Sequence, residues 1–350
     1  MRAALFYGIG DIRVEEVPIP SPNPDQALLK VEAAGICGTD VRILNNGHHR
    51  IPVGTVRILG HEFSGEIVEV GKNVHGLTVG THVAIAPNIG CGVCSECISG
   101  WTNLCENYQA FGISLDGAFA QYMLITSDAI RQGNIIPLPS EIPFPVAALA
   151  EPLSCCINGQ ESIGVRIGDL VLIIGSGPIG VMHLLLAKLS GARCVVISEI
   201  NPNRADLARR FGADIVVNPQ QDNLKEVIYS LSDGRGADAV IVAASSADLQ
   251  AQALELAARR GRINFFGGLP KDKPNATLNT NLIHYRQLIV TGSTGANVHQ
   301  FRTAVHLLTS SRLAIDGLIG DCLPLHRINE GFERTRNAQE MRMMITPNLE

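Results

Sequence analysis

Apolar positions change their rhythm near residue 145. Before it they fall into short alternating or continuous runs, at Leu28 to Ala33, Gly65 to Gly71, His82 to Ala86 and Ala118 to Ile125, divided by Pro and Gly. Such runs predict strands of a Gly-rich, barrel-like domain. From Pro145 through Leu153 to Ile163 the pattern becomes that of an apolar helix whose proline suits a first turn, so a domain boundary is expected there. Beyond Asp169, strand and helix patterns alternate. Strands are expected at Val171 to Ile174, Cys194 to Glu199, Ile215 to Asn218, Ala237 to Ala244, Arg262 to Gly268 and Leu288 to Gly292, with helices after the first strand, at Asn203 to Phe211 and at Ala247 to Ala258. Six strands joined by crossovers predict a doubly wound parallel sheet, hence an α/β fold. The tail, from His299 through Leu308 and Asp316 to Met341 to Ile345, predicts helix and a last strand returning to the first domain. Residues 1–145 and 293–350 are therefore expected to form a β-rich domain, and 146–292 the parallel one.

The first parallel strand breaks into Gly175-Ser176-Gly177-Pro178-Ile179-Gly180 and continues as an apolar-faced helix. Glycines there let backbone approach a pyrophosphate and let helix pack on strand, with the helix N-terminus facing the anion. The next apolar run ends in Glu199, roughly 24 residues after Gly175, where a carboxylate would grip a ribose hydroxyl. A dinucleotide site is expected.

Length and composition fit two domains of a compact enzyme: 350 residues, 46% hydrophobic and 17% charged. A net charge of −5 without a basic run leaves no footprint for nucleic acid, and no Lys-rich amphipathic stretch suggests a membrane surface. The N-terminal apolar segment soon meets Asp11, Arg13, Glu15 and Glu16 and makes a poor signal peptide, so a cytoplasmic protein acting on small molecules is expected.

Four of the nine cysteines, Cys91, Cys94, Cys97 and Cys105, follow the spacing C-x2-C-x2-C-x7-C. Four thiolates can close a tetrahedron around Zn²⁺ with no open position, stabilising a loop without performing a reaction. An iron–sulfur cluster uses similar spacing, but the ferredoxin run has a shorter last gap and a proline where this chain has Glu106. A second set is dispersed: Cys37 in Cys37-Gly38-Thr39-Asp40, His61 and Glu62 after Gly60, and Glu151 before Pro152. Singly, each is as readily a small buried thiol or a helix-terminal carboxylate.

These motifs, in this order and spacing, resemble the zinc-dependent medium-chain dehydrogenases over the whole chain, and within them the sorbitol (polyol) and threonine dehydrogenase branch. The resemblance implies a GroES-like catalytic domain beside a Rossmann-type domain, with two zinc ions per subunit and NAD. Cys37 and His61 would ligate a catalytic zinc; Glu62 would be a ligand or a supporting carboxylate, and Glu151 would bind the metal or hold its water. Zinc would acidify a substrate hydroxyl as hydride passes to NAD. Thr39 would begin the proton relay, or else cap the helix starting near Asp40. Many relatives carry His five residues after the first ligand, where this chain has Arg42. His48, His49 and Arg50 offer contacts to substrate or a phosphate, or are solvated loop. Gly295-Ala296 stands where animal sorbitol dehydrogenases have Arg-Tyr.

On the coenzyme side the resemblance places Ile179 over the diphosphate turn, Glu199 on the adenosine ribose, Arg204 along the adenosine edge, and Gly267 at the site with Gly175, Gly177 and Gly180. Glu199 would repel a 2′-phosphate, favouring NAD, while Ser198 and Arg204 offer a weak phosphate site. The activity implied is oxidation of a secondary hydroxyl of a polyol, free or phosphorylated, by a homo-oligomer, dimer or tetramer. The alternatives are L-threonine 3-dehydrogenase and an inactive chain that keeps zinc and NAD. The last has no reason to retain Cys37, His61 and Glu151 together.

Overall fold

The computed structural model describes residues 1–310, 312–337 and 340–349. Two β-strands, β1 (Arg2–Gly8) and β2 (Asp11–Glu16), open the chain as an antiparallel hairpin. Strand β3 (Ala27–Gly35) and helix α1 (Gly38–Asn46) follow, and β4 (Arg57–Ile58) adds to β1. Next come β5 (Glu62–Val70), β6 (His82–Ile85) and β7 (Asn88–Ile89), then α2 (Ser95–Ile98) and β8 (Gln109–Ala110), which pairs with β7. Strand β9 (Tyr122–Ile125), α3 (Ser127–Arg131), β10 (Ile135–Pro137) and α4 (Phe144–Ala148) complete this stretch.

The strand expected from Ala118 starts only at Tyr122. The amides of Gly117, Ala118 and Phe119 bond to the carbonyls of Ile58, Gly60 and Leu59, so this segment is paired crosswise before it can join β3.

Helix α5 (Ala150–Ile163) leads into β11 (Leu170–Ile174), α6 (Pro178–Leu189), β12 (Cys194–Ser198), α7 (Pro202–Arg210) and β13 (Ile215–Val217). After α8 (Leu224–Ser230) come β14 (Ala237–Val242), α9 (Ala247–Leu256), β15 (Ala257–Phe265), α10 (Thr280–Arg286) and β16 (Ile289–Gly292). The six strands are all parallel, in the order β13-β12-β11-β14-β15-β16. Every residue of β11 is buried, because helices cover both faces of such a sheet. Pro202 opens α7 one residue earlier than expected, behind an Asn201 side chain that accepts from the Arg204 amide.

The tail forms α11 (Val298–Thr309), β17 (Ile319–Pro324), α12 (Ile328–Arg336) and β18 (Arg342–Thr346). Strand β18 lies antiparallel on β3 and parallel to β17, extending the sheet β10-β6-β5-β3-β18-β17. Two units result: Met1–Ser154 with Gly295–Ser311 and Ile315–Glu350, and Cys155–Thr294 with Arg312–Ala314. The division falls inside α5, after the boundary expected at 145 and 146, because the helix that announced a new pattern in the sequence spends its first turn in the first unit.

Candidate functional site

Strand pairing builds the first site. Gly35 at the end of β3 faces Glu62 at the start of β5 and Met344 on β18, so Cys37, His61, Glu62 and Arg342 gather at one end of the sheet. The Ile36 amide donates to the Met343 carbonyl at 2.9 Å and closes that corner. One ligand atom each from Cys37, His61 and Glu62 lies within 4.8 Å of the others. Cys37 itself is the N-cap of α1 and its amide donates to Asp40 Oδ2 at 2.9 Å, so the expected cap at Thr39 is displaced by two residues. Asp40 is fully buried and holds Oδ1 3.3 Å from His61 Nδ1. That contact directs the other ring nitrogen, Nε2, away from Asp40 as the donor atom.

Burial pushes the His61 pKa down, but the charges of Asp40 and Cys37 outweigh it and hold it well above the ordinary value. Glu62 is fully buried, and neither carboxylate oxygen has a hydrogen-bond partner. Among the described residues only Arg342 compensates it, with Nη1 3.2 Å from Glu62 Oε1 and 3.2 Å from the Ile36 carbonyl. Burial works against the Arg342 charge, yet Glu62, Cys37 and Glu151 keep its pKa above the usual arginine value. Sequence reasoning missed Arg342 entirely. Glu151 is buried on the first turn of α5 and acts on Arg342 through its charge, but the three-atom donor set does not include it. A thiol, an imidazole and a buried carboxylate without hydrogen bonds fit Zn²⁺ with a position left open.

Cys91, Cys94, Cys97 and Cys105 form the other set, with sulfurs all within 4.8 Å of one another. The Cys91 amide donates to Cys105 Sγ at 3.2 Å and the Cys94 amide to Cys91 Sγ at 3.4 Å. Amides of Val93 and Cys94 draw the Cys91 thiol down to about 6, while, against the pull of the Cys97 amide, burial and the neighbouring thiols push Cys94 up to about 12; burial likewise raises Cys105, so without a metal the four sulfurs do not all ionise together.

The glycine turn lies in the second unit. Gly175 has φ +99°, and a Cβ on Gly180 would collide with the Gly175 carbonyl, so helix and turn close only on glycine. Gly177 caps α6 and leaves a cradle whose nearest neighbour is the Arg204 guanidinium, 3.8 Å from where a Cβ would stand. A Cβ on Gly267 would meet the Ala244 backbone at 2.6 Å. Ile179 is half-buried on the first turn of α6. This open, amide-lined turn at the start of a 12-residue helix fits a pyrophosphate. Glu199 is buried, and its carboxylate accepts from the amides of Ser176 (2.8 Å), Ile200 (2.9 Å) and Asn201 (2.9 Å).

Arg50, expected as a substrate or phosphate contact, and Thr39, expected as the relay group or a cap, both have partners within the protein. Arg50 donates to the Tyr108 carbonyl and lies 4.9 Å over the Tyr108 ring, while Tyr108 Oη donates to Asn88 at 2.6 Å. Its guanidinium is thus partly spent within the protein. Thr39 Oγ1 accepts from Arg42 Nη2 at 2.9 Å.

Residues 23–140 match the alcohol dehydrogenase GroES-like domain, and residues 178–310 the zinc-binding dehydrogenase family. The L-threonine 3-dehydrogenase of Pyrococcus furiosus is 34% identical over 93% of this chain and 90% of its own. The sorbitol dehydrogenase of Halalkalibacterium halodurans is 30% identical over 97% of each. A zinc-binding dehydrogenase from Sinorhizobium meliloti 1021, solved bound to NADP, superposes with TM-score 0.91 at 33% identity over 99% of both chains. The chain belongs to the zinc-dependent medium-chain dehydrogenases. It is an alcohol-type oxidoreductase whose cofactors are zinc and a nicotinamide adenine dinucleotide.

Proposed function

We propose that this enzyme oxidises a secondary hydroxyl of a polyol, free or phosphorylated, to the ketose, with NAD as hydride acceptor. The observation that carries the reading is the donor set Cys37, His61 and Glu62, gathered in one buried corner with Glu62 lacking hydrogen bonds. Zinc held there supplies Lewis acidity toward a substrate oxygen. Asp40 orients His61, Arg342 offsets the Glu62 charge, and Glu151 lies within reach of the same electrostatics. Thr39 accepts from Arg42 and so keeps its own O–H to donate, which suits a first proton-relay group. Arg42 remains charged and supplies no base, so the proton leaves Thr39 by another route. Gly175, Gly177, Ile179, Gly180, Glu199, Arg204 and Gly267 form the proposed coenzyme site, and the four-cysteine set the structural zinc site.

A second reading, L-threonine 3-dehydrogenase, is favoured by the higher identity to that relative, 34% against 30%. NADH absorbance with a panel of free polyols, polyol phosphates and L-threonine separates the two: the compound class with the highest kcat/KM decides, and threonine exceeding every polyol overturns the first. Cys37→Ser is expected to abolish turnover while the folded protein keeps about one zinc per chain, measured by metal analysis. Full activity after exhaustive chelation would remove zinc from the chemistry.

We also propose a homo-oligomer in the cytoplasm. Strand β16 ends its sheet and leaves Ile289 52% exposed, beside Tyr285 at 71%, which suits a partner copy. None of the nine cysteines forms a disulfide, as in a reducing compartment, and no helix among the described residues is long and apolar enough to cross a membrane. Sedimentation gives the mass in solution, and a monomer would end the oligomer reading.

A further inference from the structure

We infer that Arg342 restrains the metal site: a fixed cation against Glu62 and Cys37, it weakens the grip of the donor set on Zn²⁺ and so keeps the ion electrophilic. The inference rests on the reading of Cys37, His61 and Glu62 as the catalytic zinc site. It makes Arg342 a positioning residue, acting on the reaction through two of those ligands.

Arg342 opens β18, the strand that lies on β3, and is only 4% exposed. Its Nη1 stands 3.2 Å from Glu62 Oε1 and donates to the Ile36 carbonyl at 3.2 Å. The guanidinium also hydrogen-bonds the Cys37 side chain. Glu62 Oε2 points elsewhere. It lies over Gly35, where a Cβ would come within 2.5 Å of it, and no hydrogen bond reaches it. Arg342 thus draws on one oxygen of Glu62 and leaves the other for a metal.

A thiolate and a carboxylate together cancel the charge of Zn²⁺, and an ion so neutralised polarises a substrate oxygen weakly. A cation held against both ligands withdraws part of that donation. It also repels the metal directly, and in a buried corner the repulsion is little screened. Asp40 behind His61 works in the opposite sense, since a carboxylate on a ring N–H strengthens the ligand. Without metal, the same arginine is what makes the burial of Glu62 tolerable. Its removal should therefore destabilise the zinc-free protein and largely spare the zinc-loaded one, whereas an arginine with only a structural role would destabilise both alike.

The test compares full-length unmodified protein, Arg342→Gln and Arg342→Lys, with zinc as the probe. Competition with a chelator follows the ion that Cys37→Ser lacks, and kcat/KM is measured across pH. Arg342→Gln is expected to hold that ion about tenfold or more tightly. The acid limb of its kcat/KM profile should move up by about one pH unit, because the substrate hydroxyl loses its proton less readily. Arg342→Lys keeps the charge and should stay within about threefold of the unmodified protein in zinc retention. Zinc lost more readily from Arg342→Gln overturns the inference. So does an unmoved pH profile, or an Arg342→Lys displaced as far as Arg342→Gln. If Cys37→Ser keeps as much zinc as the unmodified protein, the reading of the site itself fails. Should Arg342→Gln not fold without metal, chelator competition begun from the zinc-loaded protein still decides, and Arg342→Met repeats it.

Discussion

Arg342 is the residue whose role was least legible in the sequence. In Met341-Arg342-Met343-Met344-Ile345 a lone arginine reads as the polar position of a strand, and its partner Glu62 lies 280 positions earlier. Only the antiparallel register of β18 on β3 brings the two together. Cys37, His61 and Glu62 were legible only through a family's order of motifs, since a lone thiol or carboxylate carries no spacing signal. Because Glu62 is fully buried, removing its counter-charge should be costly. In the zinc-free protein, Arg342→Met is expected to lower stability by about 3–5 kcal/mol, the cost of stranding one member of a buried ion pair. Arg342→Lys, which keeps the charge but not the fork that spans Glu62 and the Ile36 carbonyl, should lose less. Denaturant unfolding of the three proteins checks this; equal stability would mean that Glu62 is neutral or is compensated by another group.

At the scale of elements, what the sequence revealed depended on how many buried positions each element carries. The parallel strands announced themselves because burial on both faces demands unbroken apolar runs. Helix α8 escaped notice because only Leu224 and Ile228 are buried, too few to set a period, and α10 has no buried residue at all. Strand β17 carries Gly320, Asp321 and Pro324 and does not look like a strand until β18 lies beside it. The four-cysteine loop was the opposite case. Its spacing alone predicted a closed set, and the sulfurs do converge. Its α-helical content is a single turn, α2, with no buried residue, and of the four thiols only Cys105 is buried, so bound metal is expected to hold the loop more than packing does. Cys94→Ala is therefore expected to reduce zinc from two ions per chain to one, and to open residues 91–105 to protease. It should lower Tm by about 2–4 °C for each kcal/mol lost. Metal analysis, limited proteolysis and a thermal scan measure the three effects. A loop that stays protected without its metal would show that packing suffices.

For the whole molecule, stability should depend on pH through a histidine that the chemistry does not use. His183 lies on α6 within the core of the second unit, fully buried, with its ring 4.7 Å from Phe266 in a T-shaped contact. Gln160 donates to the His183 carbonyl at 2.7 Å and approaches Nδ1 at 3.4 Å, while Nε2 has no hydrogen-bond partner. Among the described residues no carboxylate favours its charged form, and burial alone pushes its pKa down to about 3. The folded protein therefore binds this proton less readily than the unfolded chain, where the value is the ordinary 6.5. Where the unfolded state binds more protons, stability rises with pH. The contribution is fully present above about pH 6.5 and declines as pH falls toward about 3, by at most roughly 1.4 kcal/mol per pH unit. Carboxylates and zinc release add their own acid dependence, so the effect is read as a difference between two proteins. His183→Met keeps an apolar contact with Phe266 and cannot take up a proton. Unfolding by urea at pH 7.5, 6.0 and 5.0 should show the two proteins diverging as the pH falls, the unmodified one losing more stability at each step. Parallel curves would mean that His183 finds a charge partner or water when protonated, and that acid weakens this protein elsewhere.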